Sequence, residues 1–216
     1  MKGARQNTTP AVGRPKDAAK RSEILRAATD LFLKDGYELT SMEAVARKAD
    51  VSKLTVYSHF TDKAELFSNV IRMRCEKVAP AESFREVMNK PARAALVEIA
   101  ARFVTNIFTS DSIRLHRILQ AEATRHPEMA RIFYETGPRR VRAAFGELLQ
   151  HYVDNRRLAI RDIPKAAEQF FSLLKGETLT KLLLALEKYP APAELKKHAE
   201  ASVDMFLAAY EPRKVR

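Results

Sequence analysis

With 216 residues and a formal net charge of +11, the chain is long enough for one or two domains with a hydrophobic core, and its charge favours an anionic partner. Six glycines leave little room for a loop-rich β fold, and a single cysteine excludes an intrachain disulfide, which is consistent with a reducing cytoplasm. No apolar run approaches the roughly 18–20 residues that span a bilayer, and the N-terminus lacks the hydrophobic stretch of a secretory signal, so we expect a cytoplasmic protein with no membrane partner.

Residues 1–16 are predicted to form a disordered basic arm. They are poor in hydrophobic residues and contain two prolines, and residues 1–26 carry seven Lys or Arg against two acids. A flexible basic leader can enter the minor groove of A·T-rich DNA, and Arg14 is the candidate for that contact. The other interpretation, a solvated tail that only aids solubility, stays open.

A helix from Asp17, ending at a C-cap glycine, precedes two short helices. Thr40 and Glu43 have the spacing of a capping box and predict the start of the second helix. Asp50 suits a left-handed turn, and Ser52 is a favourable N-cap for a third helix. Two short helices joined by a tight turn form a helix-turn-helix, whose second helix can lie in the major groove.

The third helix is predicted to bury Val56 and Phe60 and to expose polar, basic and aromatic side chains. A basic exposed face favours nucleic acid over the protein–protein contacts that some helix-turn-helix units make. The candidate DNA-binding residues are Arg14, Thr40, Ser41, Ser52, Lys53, Leu54, Thr55, Tyr57, Ser58, His59 and Lys63.

Beyond residue 80 the apolar spacing remains helical, and prolines punctuate it. Helix starts are predicted at or next to Pro91, Asp111, Pro127, Pro164 and Pro192. A kink is expected at Gly137 and Pro138. No alternating strand pattern competes, so the predicted fold is all-α with about nine helices. We expect a helix-turn-helix domain over residues 17–79 and a C-terminal helical bundle over residues 80–216.

The stretch VSKLTVYSHFTDKAELF and the preceding RSEILRAATDLFLKDGYELTSMEAVARKADVS resemble the DNA-binding domain of the tetracycline-repressor (TetR, AcrR-like) family of bacterial transcriptional regulators. The capped helix, the turn, the Tyr-x-His-Phe ending and the following Lys occur at family spacing over about residues 17–70. Asp50 and Leu54 depart from the residues that many members carry. The segment AEATRHPEMARIFYETGPRRVRAAF is similar, more weakly, to the C-terminal domain of efflux-type relatives.

The resemblance implies a homodimeric transcriptional regulator, expected to be a repressor, that binds a pseudo-palindromic double-stranded DNA operator. It also implies an effector cavity for a small, largely apolar molecule that releases the DNA, with residues 67–74 as the lever. The candidate lining residues are Phe103, Ile107, Leu115, His116, Leu119, Glu122, Phe133, Tyr134, Phe145 and Phe171. Core packing is the competing interpretation for each aromatic residue. The alternative function is a constitutive DNA-binding or protein-interacting helical module without a ligand.

The helix expected over residues 164–187 has more apolar residues than one buried face requires. A helix that is apolar most of the way round is buried on two sides, and the second side would meet a twin subunit, as the resemblance also implies. The candidate interface residues are Phe170, Leu173, Leu174, Gly176, Leu183 and Phe206. A helix buried entirely within one chain is the alternative.

The sequence does not favour catalysis. His116, Glu122 and His126 lack the spacing of a metal site, and no HExxH, paired-cysteine, Gly-rich phosphate or Gly-x-Ser-x-Gly motif is present. The basic charge is interrupted by acids, unlike that of a membrane-surface helix. RNA binding is the closest rival, but the deep groove of A-form RNA does not accept a helix. We expect no enzyme activity, no metal and no cofactor.

Overall fold

A computed structural model describes residues 14–78 and 82–212. Within these residues every regular element is helical, with eleven α-helices and one five-residue π-helical turn. The predicted all-α class is confirmed. One helix that the sequence did not predict, α5 (Glu82–Glu86), is a single short turn of chain. The described residues divide into two compact units at the junction between Val70 and Ile71.

The first unit contains α1 (Arg14–Leu39), α2 (Met42–Lys48), α3 (Lys53–His59) and the beginning of α4 (Lys63–Val78). Its centre is aromatic: the ring centroid of Phe67 lies 4.8 Å from that of Phe32 and 5.2 Å from that of Tyr37. Val45 and Val56, from the two short helices, are fully buried. Helices of seven residues are unstable alone, so this apolar burial is what holds α2 and α3 in place.

The turn between α2 and α3 forms as predicted. Asp50 has a φ of 54°, the left-handed conformation expected of it. Ser52 is the N-cap of α3, and its hydroxyl accepts a hydrogen bond from the backbone N–H of Thr55 at 3.0 Å. The start of α3 is therefore fixed by local chemistry.

The predicted cap of α2 is wrong by one residue. Ser41, rather than Thr40, is the N-cap and accepts from the backbone N–H of Ala44 at 3.1 Å. Thr40 is 2% exposed, and its hydroxyl donates to the carbonyl of Gly36 at 2.7 Å. Gly36 breaks α1 with a φ of 83°, which turns that carbonyl away from the regular helical pattern.

The second unit holds the remaining helices around one hydrophobic core. Besides α5 they are α6 (Ala92–Ile107), α7 (Ser110–Glu122), α8 (Pro127–Tyr134), α9 (Arg140–Asp154), α10 (Ile163–Leu183) and α11 (Pro192–Tyr210). The N-cap of α7 is Thr109, which accepts from the backbone N–H of Ser112 at 3.2 Å, and not Asp111 as predicted. The division between the two units falls within α4, earlier in the chain than the boundary predicted near residue 80.

The kink predicted at Gly137 and Pro138 is the π-helical turn, Glu135–Arg139, which joins α8 to α9. Proline lacks a backbone N–H, so it disrupts the regular α-helical hydrogen bonds at this point. Gly137 faces Cys75 of α4, and a Cβ at position 137 would lie 2.9 Å from the Cys75 Sγ. Glycine is therefore required for this close approach.

Three of the predicted interface residues belong to the core of this chain instead. Phe170, Leu174 and Phe206 are at most 2% exposed. Phe170 stacks on Phe145 with ring centroids 4.4 Å apart, and Phe206 meets it edge-on at 5.2 Å. These side chains are packed within one protomer.

Gly176, another predicted interface residue, lies at a break in α10. Its φ is 47° and its ψ is −158°, a backbone conformation that residues with a Cβ rarely adopt. The ring Nε2 of His198, on α11, lies 2.9 Å from the carbonyl of Leu174, just before the break. The remaining candidates, Leu173 and Leu183, are half-buried against the core.

Candidate nucleic-acid interface and ligand cavity

Four predicted DNA-binding residues form one exposed face on α3. Lys53, Leu54, Tyr57 and Ser58 occupy positions one helical turn apart, while Val56 on the opposite side is fully buried. Leu54 is 79% exposed and Tyr57 is 41% exposed, although both are large apolar or aromatic groups. An exposed leucine and tyrosine beside a lysine are typical of a surface that meets a partner.

Lys53 is engaged within the first unit. Its ammonium forms an ion pair with Glu43 of α2 and lies 5.7 Å from the ring centroid of Tyr57. The hydrogen bond and the charge attraction between the two groups raise the pKa of Lys53 and lower the pKa of Glu43. Because both side chains are exposed, the pair contributes little to stability.

Ser41, Ser52 and Thr55 lie where the two short helices begin. The serine hydroxyls cap α2 and α3, as described above, and the Oγ atoms of Ser52 and Thr55 are 2.8 Å apart. Ser41 and Ser52 are exposed, and Thr55 is half-buried. These groups fix the start of each helix and remain open to solvent at the same time.

His59, Lys63 and Thr40 do not lie on the exposed face. The His59 side chain is 10% exposed, with Nε2 3.3 Å from a carboxylate oxygen of Asp17. The Lys63 ammonium donates to the carbonyl of Tyr37 at 3.0 Å, and Thr40 is buried. The structure therefore gives these three residues structural contacts. The side chains of the predicted arm, residues 1–16, are outside the described part of the structure, and this includes the side chain of Arg14. The backbone of α1 begins at Arg14.

A cavity of about 290 Å³ lies within the second unit. This volume is at the lower end of the range of roughly 300–1,000 Å³ for small-molecule sites. Five predicted residues line it: Phe103, Ile107, His116, Phe133 and Phe171. The other lining residues are Cys75, Ser112, Gly137, Pro138, Val141, Arg142, Glu168, Ser172, Lys175 and Leu179.

The other five predicted cavity residues lie elsewhere. Leu115, Leu119 and Phe145 are buried among the packed helices. For Phe145 this is the core packing that competed with a place in the cavity. Glu122 is also buried, and its Oε2 has no hydrogen-bond partner within the described residues. Tyr134 is 49% exposed and lines a separate cleft, where the Arg142 guanidinium donates to its hydroxyl at 2.7 Å.

The sequence contained a signal for one lining residue that was missed. Phe171, Lys175 and Leu179 are spaced by four residues, and this spacing predicts that they share one face of a regular helix. A lysine between two inward-facing apolar residues is unusual, because burial of an ammonium group is costly. Arg142 and Glu168 gave no comparable signal, because their place at the cavity depends on how α9 packs against α10.

Burial shifts the pKa of three groups on the cavity wall. It lowers the pKa of His116 and, as the largest cause, the pKa of Lys175, which the nearby Arg142 lowers further. Burial also raises the pKa of the Cys75 thiol to about 11, so this thiol is protonated at neutral pH. The Nδ1 of His116 is 2.7 Å from the carbonyl of Ser112. A carbonyl only accepts, so Nδ1 carries the proton and the neutral ring keeps a lone pair on Nε2.

In the part of the chain that the structure describes, we find no helix both long enough and apolar enough to cross a membrane. The fold and its sites define a helix-turn-helix protein with a cavity-bearing helical second unit. Residues 24–70 match the family model for bacterial regulatory proteins of the tetR family, and residues 94–212 match that for the C-terminal domain of AefR-like transcriptional repressors. The chain belongs to the TetR family of bacterial transcriptional regulators, in agreement with the predicted binding protein rather than an enzyme.

Two solved structures are similar over almost the whole chain. A TetR-family transcriptional regulator from Mesorhizobium loti is 32% identical, with a TM-score of 0.86 over 92% of this chain and 100% of that one. The flavonoid-responsive regulator FrrA is 32% identical, with a TM-score of 0.71 over 91% and 99% of the two chains.

Curated relatives match over a shorter segment. The transcriptional activator FasR of Mycolicibacterium smegmatis is 34% identical over 64 residues, which is 30% of this chain and 29% of that protein. The matches to the first curated relatives span between about a quarter and a third of their length. The likeness to these proteins therefore concerns one domain.

Proposed function

We propose that this chain is a homodimeric, cytoplasmic repressor that binds a pseudo-palindromic DNA operator and leaves it when a small, largely apolar ligand enters the cavity. The observation that carries the proposal is the exposed face of α3. Lys53 and Tyr57 supply groups for phosphates and bases, and Leu54 supplies an apolar contact of the kind that the thymine methyl group accepts.

The described contacts support a division of labour on this surface. Leu54 and Tyr57 project from α3 into solvent, and the exposed ion pair with Glu43 holds Lys53 beside them. His59 and Lys63, by contrast, hold α3 and α4 against α1 through Asp17 and Tyr37. We infer that the first three residues contact DNA and that the last two position the helices.

The cavity supports a response to a ligand. Its walls include Phe103, Phe133 and Phe171, and the rings of Phe103 and Phe171 lie 4.8 Å apart. FrrA, whose fold covers almost all of this chain, is named as flavonoid-responsive. An aromatic-walled cavity suits a compact aromatic molecule better than a flexible chain.

Helix α4 offers a connection between ligand binding in the cavity and DNA binding by α3. Its earlier residues, including Phe67, belong to the core of the first unit. Its later residues belong to the second unit, where the Arg74 guanidinium lies 3.2 Å from Asp111 and Cys75 lines the cavity. A ligand that favours one placement of Cys75 would act directly on this helix, and coupling requires such a difference between two states.

Exposed apolar residues support a dimer. Leu184, Leu186 and Tyr189 follow α10, and Met205 lies on α11; their exposed fractions range from 47% to 70%. Large apolar side chains that are exposed in the single chain are enriched at subunit interfaces. We infer that these exposed residues form the dimer interface, and that the half-buried Leu173 and Leu183 lie at its edge. A dimer would present two α3 helices to successive major grooves.

The DNA proposal is tested by selecting duplexes from a random pool and measuring affinity by fluorescence anisotropy at increasing salt. We expect the logarithm of affinity to fall with that of salt with a slope of several units, about 0.9 for each neutralised phosphate. Lys53→Ala and Leu54→Ala should change the selected sequence, whereas Tyr57→Phe should weaken all duplexes alike. Lys196→Ala, an exposed lysine on α11, is the control. Failure to bind any duplex at low salt would contradict the proposal.

A further inference from the structure

We propose that the cavity takes a weakly acidic aromatic molecule, a phenol or an aromatic carboxylic acid, whose acidic oxygen meets Lys175 and whose ring lies among Phe103, Phe133 and Phe171. This inference deepens the proposed function and rests on it for the identification of the cavity as a ligand site. It concerns the chemistry of the ligand, which neither the fold nor the family determines.

Most polar groups on the cavity wall already have partners inside the protein. The Ser112 hydroxyl donates to the carbonyl of Asn106 at 2.8 Å, and the Ser172 hydroxyl donates to that of Glu168 at 2.9 Å. The Glu168 carboxylate lies 3.3 Å from the ammonium of Lys165. These groups are satisfied without a ligand.

Two groups on the wall differ from these. Lys175 is half-buried, and no hydrogen bond or ion pair is found for its ammonium within the described residues. The Nε2 of His116 keeps a lone pair, because Nδ1 donates to Ser112, and the ring lies edge-on to Phe133 with centroids 5.2 Å apart. The cavity therefore presents a cation that has no hydrogen-bond or ion-pair partner among the described residues, and a hydrogen-bond acceptor, beside aromatic walls.

The balance of charge decides which ligand suits this wall. Lys175 and Arg142 are cationic; Glu168, the one lining carboxylate, attracts Lys175 without forming an ion pair with it and lies 3.3 Å from the ammonium of Lys165. A cationic ligand would add a third positive charge, and a neutral apolar one would leave the ammonium desolvated without a partner. An acidic aromatic molecule supplies the missing counter-charge, and a hydroxyl on it can donate to His116.

Two matched pairs of probes test the proposal on the full chain without DNA. The first pair is 2-naphthoate and its methyl ester, and the second pair is 7-hydroxyflavone and flavone; the second member of each pair lacks the acidic group. The cationic probe is 9-aminoacridine. We expect calorimetric titration to show the acidic member of a pair binding about tenfold tighter or more, as a charge-assisted hydrogen bond provides. A preference within one pair only also supports the proposal and identifies the acid.

Variants at Lys175 assign the preference to its charge. Lys175→Met should abolish the acid-to-neutral ratio within each pair, Lys175→Arg should retain most of it, and Lys196→Met should match the wild type. Thermal unfolding verifies that each variant is folded. The proposal is overturned if no probe binds, if the neutral members bind as tightly as the acids, if 9-aminoacridine binds best, or if Lys175→Met retains the ratio.

The two proposals fail separately. Acid-selective binding that leaves operator affinity unchanged would uphold the ligand class and overturn ligand-induced release. Release of the operator by neutral or cationic compounds alone would uphold the regulator and overturn the ligand class.

Discussion

The ammonium of Lys63 donates to the backbone carbonyl of Tyr37 at 3.0 Å and lies 4.3 Å from the centroid of its ring. A second bond, at 3.3 Å, reaches the carbonyl of Glu38. Lys63, the first residue of α4, therefore donates to carbonyls at the end of α1. A helix leaves its last carbonyls without intrahelical hydrogen bonds, so these carbonyls can accept from Lys63. This lysine contributes to stability before any DNA is bound.

Lys63→Met should lower the free energy of unfolding by about 1–2 kcal/mol, because it removes two charge-assisted hydrogen bonds and a cation–π contact. Urea denaturation followed by circular dichroism measures the change. Lys34→Met, at an exposed position of α1, is the matched control and should change stability by less than about 0.5 kcal/mol. Loss of DNA affinity with unchanged stability would show that Lys63 acts on phosphate alone.

Glu43→Gln should raise affinity for all duplexes by about two- to fivefold. The substitution frees Lys53 from its ion pair and removes a negative charge from the proposed DNA-binding surface. Anisotropy titration at constant salt measures the effect. Glu23→Gln breaks a comparable exposed pair, with Arg26 on α1, and should leave affinity unchanged. An equal effect of both changes would indicate a response to net charge only.

Gly137→Ala should destabilise the protein by about 1–3 kcal/mol, because the new methyl group overlaps the Cys75 Sγ. Combining it with Cys75→Ala should recover part of the loss, so that the two changes are not additive. The control is Gly146→Ala, where the new Cβ meets Ile163 at an ordinary 3.5 Å. That change should be neutral or stabilising, since alanine favours a helix. Additive losses in thermal or urea unfolding would argue against a steric contact.

His116 should make stability fall as the pH decreases below its usual pKa of 6.5. Its folded-state pKa is lowered, so the unfolded chain binds the proton first, and stability that is complete above pH 6.5 is lost towards the folded pKa. Lys175, Arg142 and Glu168 also face the cavity. Unfolding free energies measured from about pH 7.5 to about pH 5 should decline less in His116→Gln than in the wild type. Parallel curves would exclude the effect.

Leu184→Glu or Met205→Glu should convert the proposed dimer to a monomer without unfolding it, because both side chains are more than half exposed in the single chain. Phe170→Ala should instead cost about 3–5 kcal/mol of stability, since that ring is fully buried. Sedimentation velocity and thermal unfolding separate the two outcomes. A wild-type chain that sediments as a monomer at micromolar concentration would contradict the dimer.

The sequence by itself determined what depends on neighbouring residues. The left-handed turn at Asp50, the cap at Ser52 and the inward positions of Val56 and Phe60 follow from side-chain chemistry acting over a few bonds. Helical periodicity likewise located most of the C-terminal helices. Even so, local spacing placed the cap of α2 at Thr40, because it does not show that the break at Gly36 draws that hydroxyl away.

Tertiary structure decided which side of each apolar helix meets the core, a cavity or solvent. Phe145 and Phe171 look alike in sequence, yet only Phe171 lines the cavity, because α9 and α10 pack so that Phe145 contacts Phe170. Phe170 was a predicted interface residue and is fully buried, whereas Leu184, which lies beyond the break at Gly176, is 64% exposed. The position of Lys175 becomes informative only once aromatic residues from three helices line the same cavity, since desolvation is a property of the packed structure.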